Sequence, residues 1–369
     1  MIAWGSYDES KPRVRLLLGE LRKQGALQAE INIPVWSAIR DKAVAGQRRL
    51  LKSLIRLLGS YPGALAKLAR QPGGGTVILP YPAIPDIFAA WPVARLRGHR
   101  IVIDAFISLY DTMVSDRQML RAKSIRASFV WGIEWLALRL ADVVIVDTDQ
   151  HGEFFAKEFA IAGERFVTVL VGAEDEFWKV RRAAPPAAEG HDLPTVLFYG
   201  QLIPLHGLDT ILDAVRRTAD EPFRWLLIGS GQEEPKLRDF LDKHRSNNVT
   251  WLPWVDYEQL PAIIATAKIA LGIFGTSDKA GRVIPNKVFQ VLAAGTQLIT
   301  RESPAVQELA LRFPGAIRTV PAGNGAALAG AVCEALAAAD SSAPIPASAQ
   351  KELGPRQGMH KLLMNSKRT

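Results

Sequence analysis

Thr195-Val196-Leu197-Phe198-Tyr199-Gly200 is a short apolar run ending on glycine, and the residues after it, 208–218, are apolar at Leu208, Ile211, Leu212 and Val215. The first run has the length of a buried strand; the second has the spacing of one helix face. The unit then recurs. Strands are predicted at 224–229, 249–253, 269–274 and 297–300, and helices at 233–244, 257–267, 286–294 and 305–312. Apolar strands alternating with helices are what a parallel sheet covered on both faces requires.

Working outward, the first half repeats the theme less regularly. Strands are predicted at 2–6, 76–80, 100–104, 142–146 and 166–170, and helices at 12–25, 129–140 and 154–160. Residues 180–190 are rich in Ala and Pro and lack periodicity, so they read as a linker. A second such stretch, 337–348, precedes a last helix at 349–364. The expected division is a first domain over 1–180, a linker over 181–194, a second domain over 195–336, and a linker with a C-terminal helix over 337–369. The expected fold is α/β, with two Rossmann-like parallel-sheet domains facing across a cleft. Ligands of such sheets sit at the carboxyl ends of the strands, where helix N-termini converge.

Composition bounds the function. The chain has 369 residues, 48% hydrophobic and 22% charged, which suits two folded domains. No stretch approaches the roughly 18 apolar residues of a membrane span, and the first residues lack the pattern of a signal peptide. The single cysteine, Cys333, excludes an internal disulfide framework or a cysteine-based zinc site. No His, Asp or Glu cluster has metal-ligand spacing; Asp147 and Asp149 form the one Asp-x-Asp, in the first half. A cytoplasmic chain is expected, peripheral on the inner face of the plasma membrane. Net charge is +8, and the excess is local: residues 40–126 hold 15 Lys or Arg against 5 Asp or Glu. Within that region, 46–58 reads as a basic amphipathic helix. Arg48, Arg49, Lys52 and Arg56 lie on its basic side, and Leu50, Leu51, Leu54, Ile55 and Leu58 on its apolar side. That pattern suits an anionic membrane surface or acceptor, or else an ordinary helix covering the sheet. No nucleic-acid-binding module accompanies the charge.

The chemistry concentrates in Val283-Ile284-Pro285-Asn286-Lys287-Val288-Phe289-Gln290-Val291-Leu292-Ala293-Ala294-Gly295. Proline stands where a helix begins and glycine where it ends. The first turn offers free N–H groups and the positive end of a dipole, a site for a diphosphate. Lys287 adds a cation, and Gln290, one turn on, can bond sugar hydroxyls. A plain core helix would show the same start and stop. Gly229-Ser230-Gly231 lacks the third glycine of a dinucleotide fingerprint, since Glu234 stands there, which argues against a nicotinamide enzyme.

The 283–295 stretch resembles the donor-binding motif of glycosyltransferase family 4, Pro-x-Lys-x-x-Glu-x-x-Ala-x-Gly. The resemblance extends over about residues 100–310. It includes Gly200-Gln201-Leu202-Ile203-Pro204-Leu205-His206-Gly207, like that family's phosphate loop. It also includes Gly229-Ser230-Gly231 and Trp254-Val255, like the loops near the nucleotide base. It implies a GT-B fold and a donor site formed by Gly200, Gln201, His206, Gly207, Gly229, Gly231, Trp254, Val255, Asn286, Lys287 and Gln290. A UDP- or GDP-sugar would be the co-substrate, without a metal or other cofactor. The acceptor would be lipid-linked or a glycan, with retention at the sugar. The family's pair of glutamates eight positions apart is replaced by Arg282 and Gln290. Arg282 can pair with phosphate or an anionic sugar, and His206, as imidazolium, would be a pH-dependent cation. Lys287 then carries the main fixed charge. Asp104 closes a strand and either orients the acceptor as a catalytic carboxylate or caps the next segment. The altered glutamates leave open a binding subunit without turnover; a nucleotide-sugar epimerase shares the fold.

Overall fold

The computed structural model describes residues 1–35, 47–180, 193–244, 248–338, 345–346 and 348–366. It divides into two units. The first holds 1–114, 118–171 and 354–369; the second holds 115–117 and 172–353. The expected linker over 181–192 lies outside the described residues.

In the first unit, six parallel strands form one sheet: β1 Ile2–Gly5, β2 Ala29–Asn32, β3 Thr76–Leu79, β4 Arg100–Asp104, β5 Val143–Val146 and β6 Phe166–Thr168, in the order β2-β1-β3-β4-β5-β6. Its helices are α1 Pro12–Lys23, α2 Gln47–Ala69, α3 Ile84–Leu96, the short α4 Leu109–Asp111, α5 Ile125–Leu140 and α6 Asp149–Phe159. On one side of the sheet, Trp4, Leu57, Leu79, Ile103 and Phe155 form a core. Trp4 stacks on Tyr61 at 5.7 Å and donates its indole N–H to the Ala64 carbonyl at 3.1 Å, so the ring is buried with its polar atom satisfied. On the other side, α1 supplies Val14, Leu17 and Leu21.

The second unit has its own sheet: β7 Thr195–Tyr199, β8 Arg224–Ile228, β9 Val249–Leu252, β10 Ile269–Leu271, β11 Gln297–Arg301 and β12 Ile317–Val320, ordered β12-β11-β10-β7-β8-β9 and parallel throughout. Its helices are α7 Asp175–Val180, α8 Leu208–Arg217, α9 Glu234–Lys243, α10 Leu260–Thr266, α11 Asp278–Arg282, α12 Asn286–Ala294, α13 Pro304–Arg312, α14 Gly325–Ala337 and α15 Ala349–Glu352. α16, Arg356–Ser366, returns to the first unit, where it packs on β6 and adds Met359 and Leu362 to the α1 side of the core.

Besides the short α4, α7 and α11, four elements escape the periodicity reading. β2 is an edge strand with one buried residue. α3 carries Pro85 and Pro92 and is apolar on every side, so no face stands out. β12 is half polar, and α14 is built largely of Ala and Gly. The expected helix over 349–364 is broken into α15 and α16, with Pro355 between them.

The basic helix over 46–58 is longer than expected and oriented differently. α2 buries Ser53, Leu57, Tyr61, Ala64 and Leu68, a stripe at helical spacing. Leu54, Ile55 and Leu58 are 45, 61 and 58% exposed, so the expected apolar face is not the face that covers the sheet. Lys52 and Arg56 are exposed. The side chains of Arg48, Arg49, Leu50 and Leu51 lie outside the described residues.

Candidate functional site

The carboxyl ends of β7 and β8 continue into two glycine loops that run side by side. Gly200 and Gly229 have φ of 141° and 143°, which side chains rarely adopt. A Cβ on Gly229 would lie 1.8 Å from the Gly200 carbonyl oxygen, and one on Gly231 2.8 Å from that of Leu202. Gly207, at φ 68°, would drive a Cβ to 2.4 Å from the Phe274 carbonyl carbon. Gly207, Gly229 and Gly231 are therefore required by backbone approach, and Gly200 by its φ. Trp251 Nε1 donates to the Gly229 carbonyl at 2.9 Å and fixes the β8 loop to β9.

Two side chains close on this backbone. A Cβ at Gly200 would meet His206 Cε1 at 2.9 Å and Lys287 Nζ at 3.1 Å. His206 lies edge-on to Phe198, and its Nδ1 contacts the Gln201 carbonyl oxygen. Lys287 enters from the first turn of α12. Its Nζ sits 4.2 Å above the Phe198 ring and 3.4 Å from the Gly272 carbonyl. Asn286 stands beside it at the helix start, and its Oδ1 is buried without a hydrogen-bond partner among the described residues.

Burial sets the charges here. It lowers the Lys287 amine to about pKa 7. Burial, reinforced by Lys287, holds His206 well below its ordinary value. His206 is thus a neutral imidazole at physiological pH, and the expectation of an imidazolium is corrected. Lys287 is likewise a titrating amine rather than a fixed cation.

Gln290, one turn into α12, is 3% exposed and fully engaged. Its Oε1 accepts from Tyr199 at 3.0 Å, and its Nε2 donates to the Tyr257 hydroxyl at 2.7 Å and to Glu174 Oε2 at 3.4 Å. Tyr257 donates to Glu174 Oε1 at 2.7 Å. The expectation that Gln290 is open to sugar hydroxyls is corrected: its amide is spent on protein. No motif marks Glu174 or Tyr257, and Tyr199 reads simply as the end of a strand. The network also explains why glutamine stands where the family has glutamate. Gln290→Glu would set a second buried carboxylate beside Glu174. The variant is expected to lose about 1–3 kcal/mol of stability at neutral pH. The deficit should shrink as pH falls and the pair shares a proton. An unchanged unfolding midpoint across that range would show that the network tolerates two charges.

The remaining site residues are dispersed. Arg282 ends α11 and is half-buried; it is not among the partners of Gln290. Trp254 is 59% exposed on the loop after β9, followed by the half-buried Val255. Asp104 belongs to the first unit, where Arg13 holds it: Nη2 donates to Oδ1 at 2.8 Å, and Nε reaches both oxygens. Arg13 also donates to the Val169 carbonyl at 2.5 Å, and both side chains are almost fully buried. Asp104 is a buried ion-pair partner, and the reading of it as a catalytic carboxylate is corrected. Asp147 pairs with His151 Nδ1 at 2.6 Å, and both side chains are buried. No group of three or more His, Cys, Asp or Glu among the described residues could hold a metal ion.

With this geometry in view, likeness to known proteins is informative. Residues 193–338 match the family described as "Glycosyl transferases group 1". The chain is 28% identical over 130 residues to the putative colanic acid biosynthesis glycosyl transferase WcaI of Escherichia coli, covering 34% of this chain and 32% of that protein. It is 22% identical over 203 residues to the putative teichuronic acid biosynthesis glycosyltransferase TuaH of Bacillus subtilis, covering 54% and 50%. The matches thus span about a third to a half of these relatives' lengths. Among solved structures, sucrose-phosphate synthase from Thermosynechococcus elongatus superposes with a TM-score of 0.72 at 16% identity, covering 99% of this chain and 98% of that one. Anabaena HepE in complex with UDP gives 0.66 at 12%, with the same coverage. At such identities the likeness establishes the fold. The chain has the two Rossmann-like sheets of the GT-B class. The stretch that matches the group 1 glycosyltransferase family, residues 193–338, lies in its second unit and holds the Gly200, His206 and Lys287 cluster.

Proposed function

We propose that this protein transfers a sugar from a nucleoside diphosphate sugar to a lipid-linked or polysaccharide acceptor, with retention and without a metal. The observation that carries the reading is the cradle where the Gly200 loop and the Gly229-Ser230-Gly231 loop meet the first turn of α12, with the buried Lys287 amine beside Gly200. A diphosphate entering it would meet backbone N–H groups, the positive helix end and Lys287. Its negative charge would draw a proton onto the amine, so the cation would form as the ligand arrives. Leaving diphosphate would be stabilised in the same way, which is the work a metal does elsewhere. A UDP-sugar is the first donor to test, because HepE is described with UDP. The names of WcaI and TuaH support an envelope polysaccharide or its lipid-linked precursor as acceptor. Such a reaction would run in the cytoplasm, at the inner face of the plasma membrane. The engaged Gln290 favours one other reading, a subunit that binds the nucleotide without turnover; it would bind donor yet neither hydrolyse nor transfer it.

The test is calorimetry of UDP, GDP, ADP and NAD in EDTA. One diphosphate should bind, and Lys287→Ala should weaken it about a hundredfold, as expected for losing a buried charge-assisted contact. Affinity in wild type should weaken up to tenfold per pH unit above about 7, where Lys287 must first take up a proton. Proton uptake should appear as a dependence of the binding heat on buffer. Below about pH 6 affinity should fall again as the ligand's terminal phosphate protonates. Binding of NAD alone, or diphosphate binding indifferent to Lys287, would remove the reading.

A further inference from the structure

We propose that the outer face of the α2, α3 and α5 layer docks this protein on an anionic phospholipid bilayer. The inference is independent of the donor site, so either can fail while the other stands.

The first observation is the rotation of α2. Its sheet-facing stripe leaves Leu54, Ile55 and Leu58 on the solvent side, beside the exposed Lys52 and Arg56. Those leucine and isoleucine side chains are therefore not spent on the sheet. The second observation lies on α5. Ile125 and Phe129 are 90 and 68% exposed, and Leu136 continues the same stripe. At about 100° per residue the three fall within an arc of about 40°. α3, which packs against both α2 and α5, adds the exposed Phe88 and Leu96. One helical layer thus presents large apolar side chains outward from each of its members. Scattered exposed apolar residues are ordinary; a shared face of them marks an interaction surface.

Charge selects the partner. α2 contains no acidic residue, and the acidic residues of α3 and α5, Asp86 and Glu134, are both buried. Asp86 accepts from Ser6 and Tyr61, and Glu134 from Ser108, Leu109 and Tyr110. The exposed charges of these helices are all basic, with Lys52 and Arg56 on α2 and Arg126 and Arg139 on α5. Arg121 and Lys123 stand just before α5 and are exposed as well. A polyanion such as RNA would answer the charge and stack a base on Phe129, but offers nothing to the aliphatic Leu54, Ile55, Leu58 and Ile125. A bilayer interface answers both, with headgroups for the cations and acyl chains for the apolar tips.

The test is flotation of the full chain with vesicles of phosphatidylcholine, and with an equimolar mixture of phosphatidylcholine and phosphatidylglycerol. Binding to the mixed vesicles, weakened by salt, is expected, with little binding to phosphatidylcholine alone. Lys52→Gln and Arg126→Gln should each lower partitioning about fivefold. The double variant Ile125→Ser with Phe129→Ser should lower it about tenfold or more. Leu311→Ser, an equally exposed leucine of the second unit, should change nothing. Circular dichroism melting of each variant separates lost docking from lost folding; these side chains are exposed, so the midpoints should match wild type. Failure to bind mixed vesicles overturns the proposal. So does loss of binding with the charge variants but not with the apolar pair, or an oligonucleotide that binds with the same charge dependence and displaces the vesicles.

Discussion

Gly229→Ala is expected to prevent the second unit from holding its native form at physiological temperature. The new methyl would sit 1.8 Å from the Gly200 carbonyl oxygen, and the backbone there has a φ of 143°. Neither conflict has a flexible side chain to absorb it, because the obstacle is the neighbouring strand's own backbone. Overpacking costs about 1–3 kcal/mol, and a side chain in that backbone region costs about 1–3 kcal/mol more. Together they approach the whole stability of an ordinary domain, about 5–15 kcal/mol. Differential scanning calorimetry should show the midpoint lowered by roughly 10 °C or more. Gly330→Ala is the matched control. It sits exposed inside α14 with nothing within 4 Å of the added carbon, so it should raise stability by about 0.5–1 kcal/mol. A wild-type midpoint in Gly229→Ala would mean that the two loops do not touch.

Asp104→Ala should act on stability rather than on chemistry. It would strand the Arg13 guanidinium in a nearly solvent-free site with only the Val169 carbonyl left. Breaking a buried ion pair from one side costs about 3–5 kcal/mol. Arg13→Met should cost a similar amount. The double variant should cost less than the sum, because no charge is left alone. Urea unfolding of the four proteins reads this directly. Under conditions where the variants remain folded, nucleotide binding by the second unit should be unaltered. A stable Asp104→Ala protein that binds donor but no longer transfers sugar would return Asp104 to the chemistry.

Where the sequence could be read, the reasons are local. The helix of the Lys287 motif appears with its expected bounds because Pro285 and Gly295 bracket it, and both act through their own backbone. The glycine loops are legible because apolar runs stop there. The errors arise where a distant partner decides the role. Asp104 looks like a carboxylate at a strand end until Arg13, 91 residues away, is brought to it. Gln290 looks open until Glu174, 116 residues away, and Tyr257 occupy its amide. Charge state is equally non-local. His206 and Lys287 both read as cations, yet the apolar walls that surround them favour the neutral forms. For α2 the spacing gave an apolar face correctly but not its orientation, since Leu57 and Tyr61 compete for the sheet with Leu54 and Ile55.

The return of α16 to the first unit reverses the order of assembly on the ribosome. Domains generally complete in the order in which they are synthesised. Here residues 172–353 have all been made before Arg356–Ser366 emerges, so the second unit can close while the first still lacks Met359 and Leu362. The apolar seat on the α1 side of the first sheet waits uncovered through that interval. A nascent chain paused within the second unit therefore carries two incomplete domains, the second for want of its own later elements and the first for want of α16.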